Sequence, residues 1–103
     1  MPVFFQGQAK TAKARITVSP SGLSCSAELW LSKDGTTKQA TSGGKTFTST
    51  GAPQDVSLPV TMPSGGWQYG VYLDVYVAGN LMGAYRGTED VLIPSVSDPI
   101  ITW

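Results

Sequence analysis

The stretch from Trp67 to Val77 alternates between apolar and largely polar side chains, and this alternation constrains the fold more than any other feature of the sequence. Successive side chains of a β-strand point to opposite faces of a sheet, so a period of two predicts a strand with one buried face. The alternation recurs from Leu23 to Leu31, and the three- and four-residue recurrence of an amphipathic helix is absent. The sequence therefore predicts an all-β chain.

Shorter stretches of β-type sequence lie between turn signals rich in Gly, Pro, Asn and Asp. They predict further strands at residues 12–18, 37–41, 45–49, 55–62, 81–88 and 89–93. The strand at 23–31 is expected to be central, and the strand at 12–18 to lie at an edge. The two short polar strands are also expected at an edge, where such strands resist unwanted pairing. Pro59 cannot donate a backbone hydrogen bond, which predicts an edge or bulged strand with Pro59 on its outer side.

The chain has 103 residues, of which 41% are hydrophobic, and this is enough to bury one core but not two. We therefore expect a single domain over residues 1–103. Cys25 is the only cysteine, so no intrachain disulfide can form, and its inward position predicts a small core residue. Residues 1–7 contain neither a basic leader nor a long apolar run, which predicts cytoplasmic synthesis without export by the general secretory route.

Seven basic residues balance seven acidic ones, so the chain has no net field that would recruit nucleic acid or an acidic membrane surface. We expect neither kind of partner. The charges are unevenly placed, because most basic residues precede Thr50 and most acidic residues follow it. If the two halves interleave in the fold, the surface is mixed. If they form opposite ends, copies would stack head to tail into rings or fibres.

The residues that most enzymes use for catalysis are missing or scattered. The chain has no His, which excludes Ser-His-Asp triads and Cys-His dyads and removes the commonest zinc ligand. The acidic residues show no spacing typical of a glycosidase pair or a calcium loop. Gly44-Lys45-Thr46 matches only the end of a phosphate-binding loop and lacks its first glycine. We therefore expect no enzyme activity, no catalytic residues, no metal site and no cofactor.

Three aromatic residues, Trp30, Tyr72 and Tyr76, fall on the outward side of the two strongest predicted strands. If nothing covers them, they form a flat aromatic face of the kind that binds protein partners or sugar rings. The alternative is that loops, or the apolar segment from Ile100 to Trp103, cover this face.

The face to which Arg86 belongs depends on the turn around Gly79. A two-residue turn at Gly79-Asn80 would place Tyr85 outside and Arg86 on the core side. A three-residue loop, Ala78-Gly79-Asn80, would turn Leu81 and Tyr85 inward and leave Arg86 outside near Tyr72 and Asp74. Burying an unpaired Arg would cost several kcal/mol, which favours the three-residue loop.

The run Ser64-Gly65-Gly66-Trp67-Gln68-Tyr69-Gly70-Val71-Tyr72-Leu73-Asp74-Val75-Tyr76 is a glycine turn followed by aromatic and aliphatic alternation. It resembles the C-terminal hairpin of immunoglobulin-like bacterial or phage modules, the group that includes fibronectin type III domains, over about a third of the chain (residues 63–94). The resemblance implies an antiparallel two-sheet sandwich of about seven strands. It also implies that Tyr69 is a tyrosine corner, whose hydroxyl bonds to a backbone group. Cys25 has no second cysteine to pair with, which departs from antibody-type domains.

These observations favour a non-catalytic structural or protein-interaction module. We expect it to self-assemble or to join a larger assembly, and a phage virion or accessory protein would fit. The alternative is a carbohydrate-binding module that stacks sugar rings on the outward aromatic side chains. The candidate binding residues on either interpretation are Trp30, Tyr72, Asp74, Tyr76 and Arg86.

Overall fold

Strands make up most of the computed structural model, which describes residues 4–92. There are eight, and none of the described residues is helical: β1 (Phe4–Phe5), β2 (Ala9–Thr17), β3 (Ser24–Ser32), β4 (Ala40–Thr41), β5 (Lys45–Thr48), β6 (Pro53–Thr61), β7 (Trp67–Val77) and β8 (Asn80–Leu92). The predicted all-β class is confirmed. The strand predicted at residues 67–77 has those bounds in β7.

The strands form one large sheet and one small sheet. The large sheet has the order β1-β8-β7-β3-β4, with β5 also paired to β3, and the small sheet consists of β2 and β6. The predicted edge position of residues 12–18 and the central position of residues 23–31 are both confirmed for the described residues. The expectation of purely antiparallel pairing is wrong for β1, which runs parallel to β8, so the large sheet is mixed.

Two of the predicted strands differ from those observed. The segment 37–41 is a strand only at Ala40–Thr41, because Asp34 Oδ1 accepts hydrogen bonds from the backbone N–H groups of Thr36 and Thr37 and holds a turn there. Such side-chain bonds compete with strand pairing. The two predicted strands at 81–88 and 89–93 are one continuous strand, β8, which ends for the described residues at Leu92.

The core lies between the two sheets and is built by the alternating inward residues of β3, β6 and β7. The buried cluster comprises Ile16, Ala27, Leu29, Leu31, Val56, Leu58, Val60, Met62, Tyr69, Val75 and Val91. Cys25 is buried and free, which confirms its predicted place inside the fold. Pro59 is exposed on β6, which pairs only with β2 among the described residues, so its predicted edge position is also confirmed.

The turn between β7 and β8 matches neither of the two predicted alternatives. It is a two-residue turn of Ala78 (φ 50°) and Gly79 (φ 82°), and Asn80 already pairs with Val77. The register then shifts after Tyr76, which pairs with Leu81, whereas Val75 pairs with Gly83. The extra residue, Met82, forms a β-bulge.

The bulge decides which face each β8 side chain shows. Arg86 pairs with Tyr72 on the outer face and Tyr85 pairs with Leu73 on the inner face, as predicted for both. Leu81 pairs with the outward Tyr76 and is exposed, so its predicted inward position is wrong. The three-residue loop is therefore wrong, although it placed Arg86 and Tyr85 correctly.

Candidate functional site

The five predicted binding residues come together on the outer face of the large sheet. Trp30 on β3 pairs with Tyr72 on β7, and Tyr72 pairs in turn with Arg86 on β8. Asp74 and Tyr76 follow on the same side of β7, opposite Glu28 and Ser26. Alternation in β3 and β7, together with the cost of burying Arg86, therefore identified residues that lie side by side. Whether the cluster is open to a ligand depends on what covers it.

Trp30 is packed inside this cluster and is only 9% exposed. Its ring stacks on Tyr72 with centroids 4.4 Å apart and planes at 18°, and its Nε1 donates a hydrogen bond to Asp74 Oδ2 at 3.0 Å. Lys38, from the loop after β3, places its ammonium 5.3 Å from the centre of the Trp30 ring. Of the two alternatives left open for this face, the covered one therefore holds at Trp30, because its cross-strand neighbour and this loop cover it.

Charged groups around Trp30 are paired with one another. Lys38 Nζ lies 2.8 Å from Glu28 Oε1, and Thr41 Oγ1 donates to Glu28 Oε2 at 2.6 Å. Burial raises the pKa of Glu28, but the hydrogen bonds from Lys38 and Thr41 outweigh it, so that pKa lies below its ordinary value. The Arg86 guanidinium lies 5.5 Å from the centre of the Tyr72 ring. The carboxylates of Glu28 and Asp74 thus have partners within the outer face. The segment from Ile100 to Trp103, the other expected cover, lies outside the described residues.

Tyr69 fixes the turn that precedes β7. It is 0% exposed, and its hydroxyl donates a 2.6 Å hydrogen bond to the backbone carbonyl of Ser64. Burial raises the pKa of this hydroxyl. The hydrogen bond predicted for Tyr69 is therefore confirmed. It ties the β6–β7 connection to the inner face of the large sheet.

A second site, which the sequence analysis did not predict, lies where the small sheet is too narrow to cover the whole inner face of the large sheet. The small sheet has two strands, and β6 contacts β3, β4 and β5. A cleft of about 710 Å³ lies between β2 and the inner faces of β7 and β8. We call this side of the molecule the open flank. Its lining includes Ala12 and Ala14 of β2, Val71 and Leu73 of β7, Tyr85 of β8, and Phe4.

Small residues produce this cleft. Two inward positions of β2 carry alanine, and the inner face of β8 carries Gly83 and Gly87 beside Tyr85. A side chain on Gly87 would meet the Tyr85 hydroxyl at 2.7 Å, so the Tyr85 ring lies across this glycine. Tyr85 remains 59% exposed. The signal that could have revealed the cleft was alanine and glycine at positions where a covered strand carries large apolar side chains.

The two strands that border the open flank have free edges among residues 4–92. β2 pairs only with β6, and β8 pairs only with β7 until β1 joins it at Val91 and Leu92. Basic side chains follow the β2 border at Lys10, Lys13 and Arg15, whereas Glu89 lines the β8 border and Asp90 follows it. A free edge next to apolar surface can pair with another strand.

Within the described residues, no group of three or more Asp, Glu, Cys or His side chains could hold a metal ion. The same part of the chain contains no helix long and apolar enough to cross a bilayer. Comparisons with protein-family models, with curated proteins and with solved structures find no match to this chain.

Proposed function

We propose that the chain is a non-catalytic structural or protein-interaction module that assembles with further copies of itself through its open flank. The observation that carries the proposal is the apolar cleft between the edges of β2 and β8, which are unpaired among residues 4–92 except where β1 joins β8 at Val91 and Leu92. Unpaired edges attract other strands, and exposed apolar surface beside them adds the driving force for association. We include in this proposal the setting expected from the sequence, in which the module is part of a phage virion.

We propose further that the fold is an immunoglobulin-like sandwich. Two features support this. The strand pairs β2–β6 and β3–β7 lie in different sheets, so the chain crosses between sheets as it does in Greek-key sandwiches. The hydrogen bond from Tyr69 to Ser64 spans five residues at the start of β7, the position of a tyrosine corner.

The alternative, a carbohydrate-binding face, has less support. Sugar rings stack on exposed aromatic surfaces. Trp30 is buried against Tyr72, and its indole N–H is already bonded to Asp74. A ligand would first have to displace these contacts.

Absolute molar mass by light scattering behind a sizing column tests the proposal. We expect a mass above the 10.8 kDa of one chain. Tyr85→Glu should lower that mass, because it places a charge in the cleft lining. Thr46→Glu is the matched control: Thr46 is exposed on β5, away from the cleft and from both border strands. A mass of one chain for the unmodified protein at every concentration would contradict self-assembly.

A further inference from the structure

We propose that two copies join as a closed pair in which β2 of each copy adds to the free edge of β8 in the other. This inference rests on the proposed function, because it names the partner of the open flank and the strands that meet. The partner is a second copy of this chain.

The directions of the two border strands allow this pairing. β1 runs parallel to β8, and the chain then reverses at Gln6–Gln8, where the Gln8 N–H donates to the Phe5 carbonyl at 3.3 Å. β2 therefore runs antiparallel to β8 within one copy, on the other side of the same cleft. A two-fold axis parallel to the strands brings β2 beside the partner's β8, and β8 beside the partner's β2. Both new pairs are antiparallel.

Symmetry makes this arrangement closed. Each flank supplies one β2 edge and one β8 edge, and each edge meets the other kind of edge in the partner. A single two-fold contact therefore pairs both edges of both copies. The small sheet of each copy continues into the large sheet of the other. Each apolar cleft is thereby covered, and no free edge remains at the flank to recruit a third chain.

Charge favours this pairing over the other two-fold arrangement, in which like strands meet. Pairing β2 with the partner's β2 would set Lys10, Lys13 and Arg15 against the same three residues. Like charges on adjacent strands are destabilising, whereas opposite charges stabilise. Pairing β2 with β8 instead sets the basic border against the edge that carries Glu89 and Asp90. Arg86, farther along β8, reduces this advantage but does not reverse it.

Side-chain size agrees with the same arrangement. Two of the inward residues of β2 at the cleft, Ala12 and Ala14, are small and leave room beside them. Tyr85 is the large apolar residue on the inner face of β8 there, and it is 59% exposed in a single copy. Large side chains beside small ones on adjacent strands fill the space between two sheets. The Tyr85 ring of one copy thus packs against the alanines of the other.

Reversal of charge on each border tests the pairing. In the double variant Lys10→Glu/Lys13→Glu, β2 and β8 both carry acidic side chains, so the dissociation constant of the pair should rise about tenfold or more. Adding Glu89→Lys and Asp90→Lys to the same chain restores opposite charges and should restore the pair. Lys45→Glu, on β5, makes one of the same charge changes away from the flank and should leave the mass unchanged.

Light scattering across a dilution series, with circular dichroism to confirm folding, separates the outcomes. A two-chain mass that is lost in the double variant and regained in the quadruple variant supports the proposal. If the mass is two chains but the double variant keeps it, the β2–β8 pairing is overturned and self-assembly stands. A mass that grows beyond two chains overturns the closed pair while leaving self-assembly intact. A mass of one chain throughout, as when another segment or protein occupies the flank, overturns both.

Discussion

The two flanks of the molecule differ in how completely the inner face of the large sheet is covered. On the side formed by β3, β4, β5 and β6, which we call the closed flank, Ala27 is 0% and Val56 is 7% exposed. On the open flank, Val71 and Leu73 are only partly buried, although they belong to the same inward row of β7 as Tyr69. Alternation therefore marks the side of a strand that can be buried. Actual burial requires a strand in the opposite sheet.

Side-chain hydroxyls on the closed flank form hydrogen bonds with backbone groups. Ser42 Oγ accepts a hydrogen bond from the Leu29 backbone N–H at 3.0 Å. Ser49 Oγ accepts from the Leu23 N–H at 2.9 Å and donates to the Pro20 carbonyl at 2.6 Å. These bonds satisfy backbone groups at the edge of the large sheet. Among residues 4–92, no buried side-chain N or O atom lacks a hydrogen-bond partner.

The largest difference between the flanks should appear when valine is truncated. Val56→Ala on the closed flank should cost about 1.5–3 kcal/mol of unfolding free energy, because Val56 is almost fully buried and does not line the cleft. Val71→Ala on the open flank should cost roughly 1 kcal/mol or less, because Val71 is only partly buried and less buried surface is lost. Urea unfolding measures both, at a concentration where the protein has the mass of one chain. Equal losses would mean that the two flanks are equally covered.

Replacing alanine with leucine should destabilise the closed flank more than the open one. Ala27 is 0% exposed and pairs with Val75, so Ala27→Leu should destabilise by about 1–3 kcal/mol through overpacking. Ala14 borders the cleft, where a longer side chain has room, so Ala14→Leu should change the unfolding free energy by less than about 0.5 kcal/mol. A comparable loss for Ala14→Leu in urea unfolding would argue that the cleft is already filled.

Removing the hydroxyl of the buried Tyr69 and that of Tyr85 on the open flank sharpens the comparison. Tyr69→Phe deletes the donor to the Ser64 carbonyl and should cost about 1–2 kcal/mol. Tyr85→Phe deletes an exposed hydroxyl and should stay within about 0.5 kcal/mol of the unmodified chain. Chemical denaturation of the two variants side by side measures both effects. If Tyr69→Phe were neutral, the hydrogen bond to Ser64 would contribute nothing to stability.

Much of the fold could be predicted because it depends on local alternation. The inward residues of β3 and β7 and the edge position of β2 all followed from one period-two pattern and the turn residues around it. The outer-face cluster was predicted partly for the same reason. Trp30 and Tyr72 were placed on one face by the alternation of their strands, and Arg86 was placed there by the cost of burying its charge.

The remaining features depend on residues far apart in the sequence. Trp30 is covered by Tyr72 and Lys38. The register that pairs Tyr72 with Trp30 depends on both strands and cannot be inferred from the sequence of one of them. The two-residue turn at Ala78-Gly79 and the bulge at Met82 together set which face Tyr85 and Arg86 show. Loop length alone therefore could not predict either feature. The open flank follows from the number of strands in each sheet. That number is a property of the whole topology.

The smallest expected effect is an acid sensitivity located near the closed flank. Backbone N–H bonds from Thr37 and Thr36, with a bond from the Ser32 hydroxyl, hold the pKa of Asp34 well below its ordinary value of 3.8. The pKa of Glu28 is also lowered from its ordinary value of 4.5. Since folding lowers both pKa values, the stability that they contribute is complete above about pH 4.5 and is lost as the pH falls below it.

Urea unfolding between pH 7 and pH 2 measures this loss. Asp34→Asn and Glu28→Gln should each flatten the decline at low pH, because each removes a carboxylate that binds its proton more weakly in the folded state. Asp55→Asn, on the exposed side of β6, is the matched control. Since Asp34 lies in an exposed loop, we expect its effect to be slight and reduced by salt. A decline as steep in Asp34→Asn as in the unmodified chain would place the acid sensitivity elsewhere, and the acidic border of the open flank would be the next region to test.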